Sequence, residues 1–296
     1  MVEDASPLLR HVMAALSPYG GGSGVIGLTG APGVGKSTTT NALVAAFRAR
    51  GGRVGVLAVD PSSPFSGGAL LGDRVRMQEH ALDRDVYIRS MASRGHLGGL
   101  SWSTPQALRV LAAAGCDPVL VETVGVGQSE VEVAGLADTT VVLLAPGMGD
   151  AVQAAKAGIL EVGDVYVVNK ADRDGADATV RELRHMLTLG APRAAGDWRP
   201  PVLRTVASRG EGMTELLQAL DEHRSWLEGS GTLQERRLAR AADEVEAIAV
   251  TALRARVGDL RARGGADGLD ALAADVVAGR TDPYAAADRL LASVPT

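Results

Sequence analysis

The sequence predicts an α/β fold, a mostly parallel sheet flanked by helices, with a short helix before it and a helical region after it. Three observations predict it. Six short runs rich in β-branched residues recur along the chain, apolar throughout rather than alternating, the pattern of strands covered on both faces. Helical stretches separate these runs, so the units are right-handed βαβ crossovers in a parallel sheet. A glycine-rich turn joins the first strand to the following helix at "TGAPGVGKSTTTNAL", residues 29–43.

In chain order, residues 1–18 place Leu8, Leu9, Val12, Met13 and Leu16 at helical spacing, and "PYGGGSG" at 18–24 breaks that helix. Strands follow at 25–29, 53–59, 117–123, 139–145, 165–169 and 201–205, with a helix from Thr38 to about Arg50 after the first. Beyond residue 222 the character changes. Leu238, Ala241, Val245, Ile248, Ala252 and Val257 share one face of a long amphipathic helix over 233–257. Two shorter helices fill 268–292, the first ending near Gly279 and the second opening at Asp282-Pro283. The expected domains are an N-terminal extension at 1–24, a core at 25–228 and a C-terminal helical region at 229–296. Two readings of that last region stand: a cover for the chain's own core, or an arm for dimerisation.

Composition narrows the function classes. A formal charge of −5 over 296 residues gives no general attraction to nucleic acid or to an anionic membrane. Cys116 is the single cysteine, so no internal disulfide can form, and its place before a strand suits a small buried residue. The start "MVEDASPLLRHV" has no basic-then-apolar leader pattern, and no run is long and apolar enough to cross a bilayer. A cytoplasmic protein is expected.

The turn at 30–37 carries the chemistry. Gly30, Ala31, Pro32, Gly33, Val34, Gly35, Lys36 and Ser37 satisfy G-x-x-x-x-G-K-[ST], between a strand and a helix opening at Thr38. Glycines let successive N–H groups face a polyphosphate, and the helix N-terminus adds partial positive charge. Lys36 is placed for the β- and γ-phosphates and the Ser37 hydroxyl for Mg²⁺. The fold class is therefore a P-loop NTPase. The base is read at "VVNKADR": Asn169, Lys170 and Asp172 follow a later strand as N-K-x-D. A carboxylate at Asp172 accepts from the adjacent N1–H and N2–H of guanine, whereas adenine presents a lone pair at N1. GTP is the expected substrate and GDP the product.

Three further stretches belong to the same strand edge. Glu122 and Gly125 in "LVETVGVGQSE" occupy a D-x-x-G slot, an acid near the metal and a glycine N–H near the γ-phosphate. Val126 stands where Ras-like GTPases place a water-orienting glutamine, so slow unaided hydrolysis is expected. Asp60 ends the second strand and Asp73 follows a Gly67-Gly68 pair in a loop whose composition suits movement, which makes both, with Lys36 and Glu122, catalytic candidates as metal or water-positioning groups. Pro146, Gly147 and Gly149 open another candidate mobile loop. His11, His80, His96, His185 and His223 are scattered without metal-ligand spacing and read as surface or packing residues.

"LAVDPSSPFSGGALLGDRVRM", "VLVETVGVGQSE" and "VVNKAD" together resemble the MeaB/ArgK family of P-loop GTPases, from about Val25 to Trp226 and more loosely beyond. The resemblance implies a GTPase chaperone that gates adenosylcobalamin loading and protects or reactivates a cobalamin-dependent acyl-CoA mutase, typically methylmalonyl-CoA mutase. It implies a homodimer formed through the C-terminal helices. Carried over by position, Lys36 and Ser37 hold phosphate and Mg²⁺, Asp60 and Glu122 belong to the metal shell, and Asp73 to the first switch. Asp150, Gln153 and Lys156 become the polar contacts of a partner-sensing switch at 146–156. Val206, Ala207 and Ser208 stand at the last guanine-contacting element. The chain departs from relatives in its short N-terminal helix, in Ala69, Leu70, Arg74 and Val75 of the first switch, and in Val206, where a serine is common. A GTPase serving another acyl-CoA mutase, a kinase and a nickel-insertion GTPase are the alternative functions. The single cysteine and scattered histidines speak against nickel insertion.

Overall fold

The computed structural model describes residues 8–19, 21–60, 78–80, 82–92, 103–123, 129–147, 160–189, 196–263 and 268–293, with positions 2, 6 and 194. Compact units divide at Arg237 and Leu238. In the first unit α1 (Leu9–Leu16) is followed by a 3-10 turn, Ser17–Tyr19. Then come β1 (Val25–Thr29), α2 (Lys36–Ala49), β2 (Val54–Asp60), β3 (Val86–Ala92) and α3 (Thr104–Ala113). The unit continues with β4 (Val119–Thr123), α4 (Ser129–Leu136), β5 (Thr139–Leu144), β6 (Val165–Asn169), α5 (Ala176–Leu189), β7 (Val202–Thr205) and α6 (Met213–Ser230). The helix α7 (Thr232–Arg263) begins within it. In the second unit α8 (Leu269–Val277) and α9 (Pro283–Ala292) pack together, burying Leu272 and Ala286. As its sequence predicts, α9 is capped by Asp282, whose side chain accepts from the N–H groups of Tyr284 and Ala285.

All the strand pairs are parallel, in the order β3-β2-β4-β1-β5-β6-β7. The six expected strands are present with ends moved by one or two residues, and the seventh, β3, is an addition to the sequence reading. It lies at the sheet edge, and its sequence VYIRSMA carries Arg89 and Ser90, so it does not read as an apolar run. The expected long helix over 233–257 extends further, to Arg263.

Alternation across the central strands divides the core into two layers. On one face Leu28, Val56, Leu120, Val141, Leu143 and Val167 meet Leu43 and Val44 of α2 and Leu216 and Leu220 of α6. On the other, Val142, Leu144, Tyr166 and Val168 meet Val180 and Leu183 of α5. There too, Val59 and Val121 pack on Val133 of α4, and Leu57 and Val119 on Leu111 of α3. Cys116 is buried in that last cluster, and burial pushes its thiol up from its ordinary value. A parallel sheet puts every strand C-terminus at one edge, so Thr29, Asp60, Thr123, Asn169 and Thr205 end on the same side.

Candidate nucleotide site

The P-loop leaves β1 at that edge, and two of its glycines are sterically required. At Gly30 φ is 140°, and a Cβ there would lie 2.2 Å from the Leu143 carbonyl oxygen. At Gly35 φ is 97°, and a Cβ would meet the Asn169 amide nitrogen at 2.4 Å. Both positions exclude a side chain. Gly35 is also the N-cap of α2, so the free N–H groups of that helix open onto the loop. Lys36 is 7% exposed, its ammonium donating to the Gly30 carbonyl at 2.5 Å and the Ala31 carbonyl at 3.1 Å.

Glu122, near the end of β4, is 2% exposed and accepts from the Ser37 hydroxyl at 2.5 Å. A serine and a carboxylate held together beside the P-loop are hard oxygen donors, the chemistry Mg²⁺ takes, so these residues fit that ion. Asp60 closes β2 at the same edge, while its side chain falls outside the described residues. Asp73, Gly125, Asp150, Gln153 and Lys156 also lie outside them.

On the far side of the loop, β6 delivers the guanine motif. The buried Asn169 side chain donates to the Val34 carbonyl at 2.9 Å, and its oxygen accepts from the Thr205 hydroxyl and the Ala207 N–H, both at 3.1 Å. Lys170 adopts a left-handed φ of 55°, and its ammonium donates to the Gly33 carbonyl at 2.6 Å. A lysine there costs on the order of 1–2 kcal/mol, strain of the kind that marks functional turns. Asp172 follows, its carboxylate 3.3 Å from an Arg209 guanidinium nitrogen. A cavity of about 1200 Å³ gathers Pro32, Gly33, Gly35, Lys36, Ser37, Thr38, Glu122, Lys170, Ala207 and Ser208 in one wall. Val206 lies beside this wall, bridged to Glu211. Among the described residues the structure thus brings together the phosphate, metal and base candidates from four strand ends.

Some residues at the site are not part of the sequence reading. Asn41, on α2, donates to Glu79 at 2.9 Å, and both line the cavity with Thr123. Glu79 lies just beyond the expected first switch, and only that proximity could have marked it. The buried His223 packs against Trp198 and Trp226, with ring centroids 4.7 and 5.7 Å away, in line with the packing role expected for it.

Residues 1–261 match the family described as methylmalonyl Co-A mutase-associated GTPase MeaB. The chain belongs to the MeaB family of P-loop GTPases. A GTPase-designated protein of Pyrococcus abyssi is 46% identical over 296 residues, covering 99% of this chain and 90% of that protein. The GTPase ArgK of Escherichia coli is 40% identical, with 79% of this chain and 73% of that protein covered. A solved structure of a protein named LAO/AO transport system kinase superposes with a TM-score of 0.67 at 28% identity, covering 97% of this chain and 86% of that one. This MeaB-family chain is a GTPase, and no helix among its described residues is long and apolar enough to cross a membrane.

Proposed function

We propose that this MeaB-family GTPase is a chaperone of a cobalamin-dependent acyl-CoA mutase, methylmalonyl-CoA mutase first among them. It gates adenosylcobalamin loading and protects or reactivates the mutase. The observation that carries the reading is Asn169, which ties the P-loop at Val34 to the base-side turn at Ala207, in a chain whose family is described as mutase-associated. Such a tie makes nucleotide occupancy a property of several segments at once, as a switch requires.

Within this reading the P-loop N–H groups and Lys36 bind and orient the β- and γ-phosphates, Lys36 leaving the Gly30 and Ala31 carbonyls for the phosphate oxygens. Lys170 flanks the base and Asp172 reads its N1–H and N2–H. Ser37 and Glu122, with Asp60, would hold Mg²⁺, which when bound neutralises charge on the phosphate oxygens. Asp73 and the segment 146–156, with Asp150, Gln153 and Lys156, respond to the nucleotide and to the mutase. The protein works in the cytoplasm as a homodimer built through its C-terminal helices.

The test is GTP turnover by the purified chain, alone and with acyl-CoA mutases added in turn. One mutase should accelerate hydrolysis at least about tenfold, and Lys36→Ala should abolish both basal and stimulated rates. Hydrolysis indifferent to every mutase would refute the client. Transfer of the γ-phosphate to a protein instead of water would establish a kinase.

A further inference from the structure

Arg209 lies one residue beyond the guanine-contacting element at Val206, Ala207 and Ser208. It ends a single 3-10 turn, Ala207–Arg209. The turn is tightly made. The Arg209 N–H donates to the Val206 carbonyl at 2.8 Å, and Gly210 follows at φ 71°, its N–H donating to Ala207. Val206 in turn donates to the Glu211 carbonyl at 3.1 Å. The guanidinium therefore starts from a fixed backbone. One of its terminal nitrogens, Nη2, is 3.3 Å from Asp172 Oδ2, and the other, Nη1, is 3.7 Å from Glu211 Oε1.

We infer that Arg209 is a positioning residue for guanine selection, holding the Asp172 carboxylate in the orientation that meets N1–H and N2–H. The inference rests on the GTP-site reading above. The contact between Arg209 and Asp172 is one-armed. An ionised carboxylate accepts at about four lone-pair sites on two oxygens. A two-armed guanidinium would occupy the face that guanine needs. Here Glu211 draws one arm of Arg209 away, so Arg209 touches Oδ2 alone and leaves Oδ1 and part of Oδ2 for the base. Val206, at the start of this turn, offers Asp172 no hydroxyl. Among the described residues the orienting contact comes from Arg209 instead. As an exposed ion pair it adds little to folding stability. Its effect falls on the geometry of two base-specific hydrogen bonds.

Inosine diphosphate keeps N1–H but lacks the 2-amino group, so the ratio of its dissociation constant to that of GDP isolates the N2–H bond to Asp172. Calorimetric titration of the full chain with both nucleotides measures it. Arg209→Ala should weaken GDP binding about tenfold and inosine diphosphate about twofold, so that the ratio falls about fivefold, with the melting temperature unchanged. Arg209→Lys keeps one charge but cannot bridge Asp172 and Glu211, and should recover part of the ratio. An unchanged ratio in Arg209→Ala would make Arg209 merely structural. Tighter GDP binding in that variant would make it a competitor for Asp172. Either result overturns the inference. Failure of the wild-type chain to bind either nucleotide would instead remove the guanine-site reading beneath it.

Discussion

The Asn169 side chain makes hydrogen bonds to three separate segments: the P-loop at Val34, the end of β7 at Thr205 and the following turn at Ala207. It is 2% exposed, so each partner left behind on truncation is a polar group without water to replace the bond. Asn169→Ala should cost about 3 kcal/mol in all, divided between folding and nucleotide affinity. Calorimetry should read at least about tenfold weaker GDP binding, and thermal unfolding a lowered midpoint. A variant with wild-type affinity would show that the loop and the base-side turn are held independently. The glycines act at the same scale. Gly30 and Gly35 are dictated less by flexibility than by Leu143 and Asn169, which occupy the space of a side chain.

At the scale of the element, the second turn of α7 is fastened to the base of the sheet, the edge opposite the P-loop. Arg236 pairs with Asp164 at 3.0 Å, just before β6, and Arg237 with Asp138 at 2.9 Å, just before β5. Asp164 also lies 3.3 Å from His223 and accepts from the Thr140 N–H at 2.8 Å. Burial pushes the Asp164 carboxyl up, but His223 and Arg236 outweigh burial and hold it below its ordinary value. A depressed carboxylate contributes stability above its unfolded pKa, about 3.9, and loses it as pH falls through the folded value. Asp164→Asn should therefore destabilise by about 2–4 kcal/mol at pH 7. The gap to wild type should close below about pH 4. Thermal unfolding of both proteins across pH 3–7 measures it, and a gap independent of pH would show that packing, not charge, sets the effect.

For the whole molecule, the second unit leaves an apolar stripe on α7 in which Leu238 is 61%, Val245 67% and Ile248 44% exposed. Seven- and three-residue spacings place these side chains on one face, as in helices that pair with another helix. The proposed homodimer would cover them. Replacing Leu238, Val245 and Ile248 with Glu should convert a dimer to a monomer in sedimentation velocity while leaving unstimulated GTP turnover intact, since none touches the nucleotide cavity. An unchanged sedimentation coefficient would place the dimer contact elsewhere.

The α/β class, the P-loop and the N-K-x-D element were determined by sequence alone, because each is written in consecutive residues whose spacing is the mechanism. Loop glycines, lysine and serine are neighbours along the chain, and strands buried on both faces announce themselves as apolar runs. The edge strand β3 escaped that reading because Arg89 and Ser90 interrupt its apolar residues. What only the tertiary structure decided are pairings between distant residues. Arg209 reaches Asp172 across 37 positions and Arg236 reaches Asp164 across 72. No local pattern encodes such partners. They meet because a parallel sheet returns every strand to the same two edges, and the order of strands within it, set by packing on both faces, chooses which charges become neighbours.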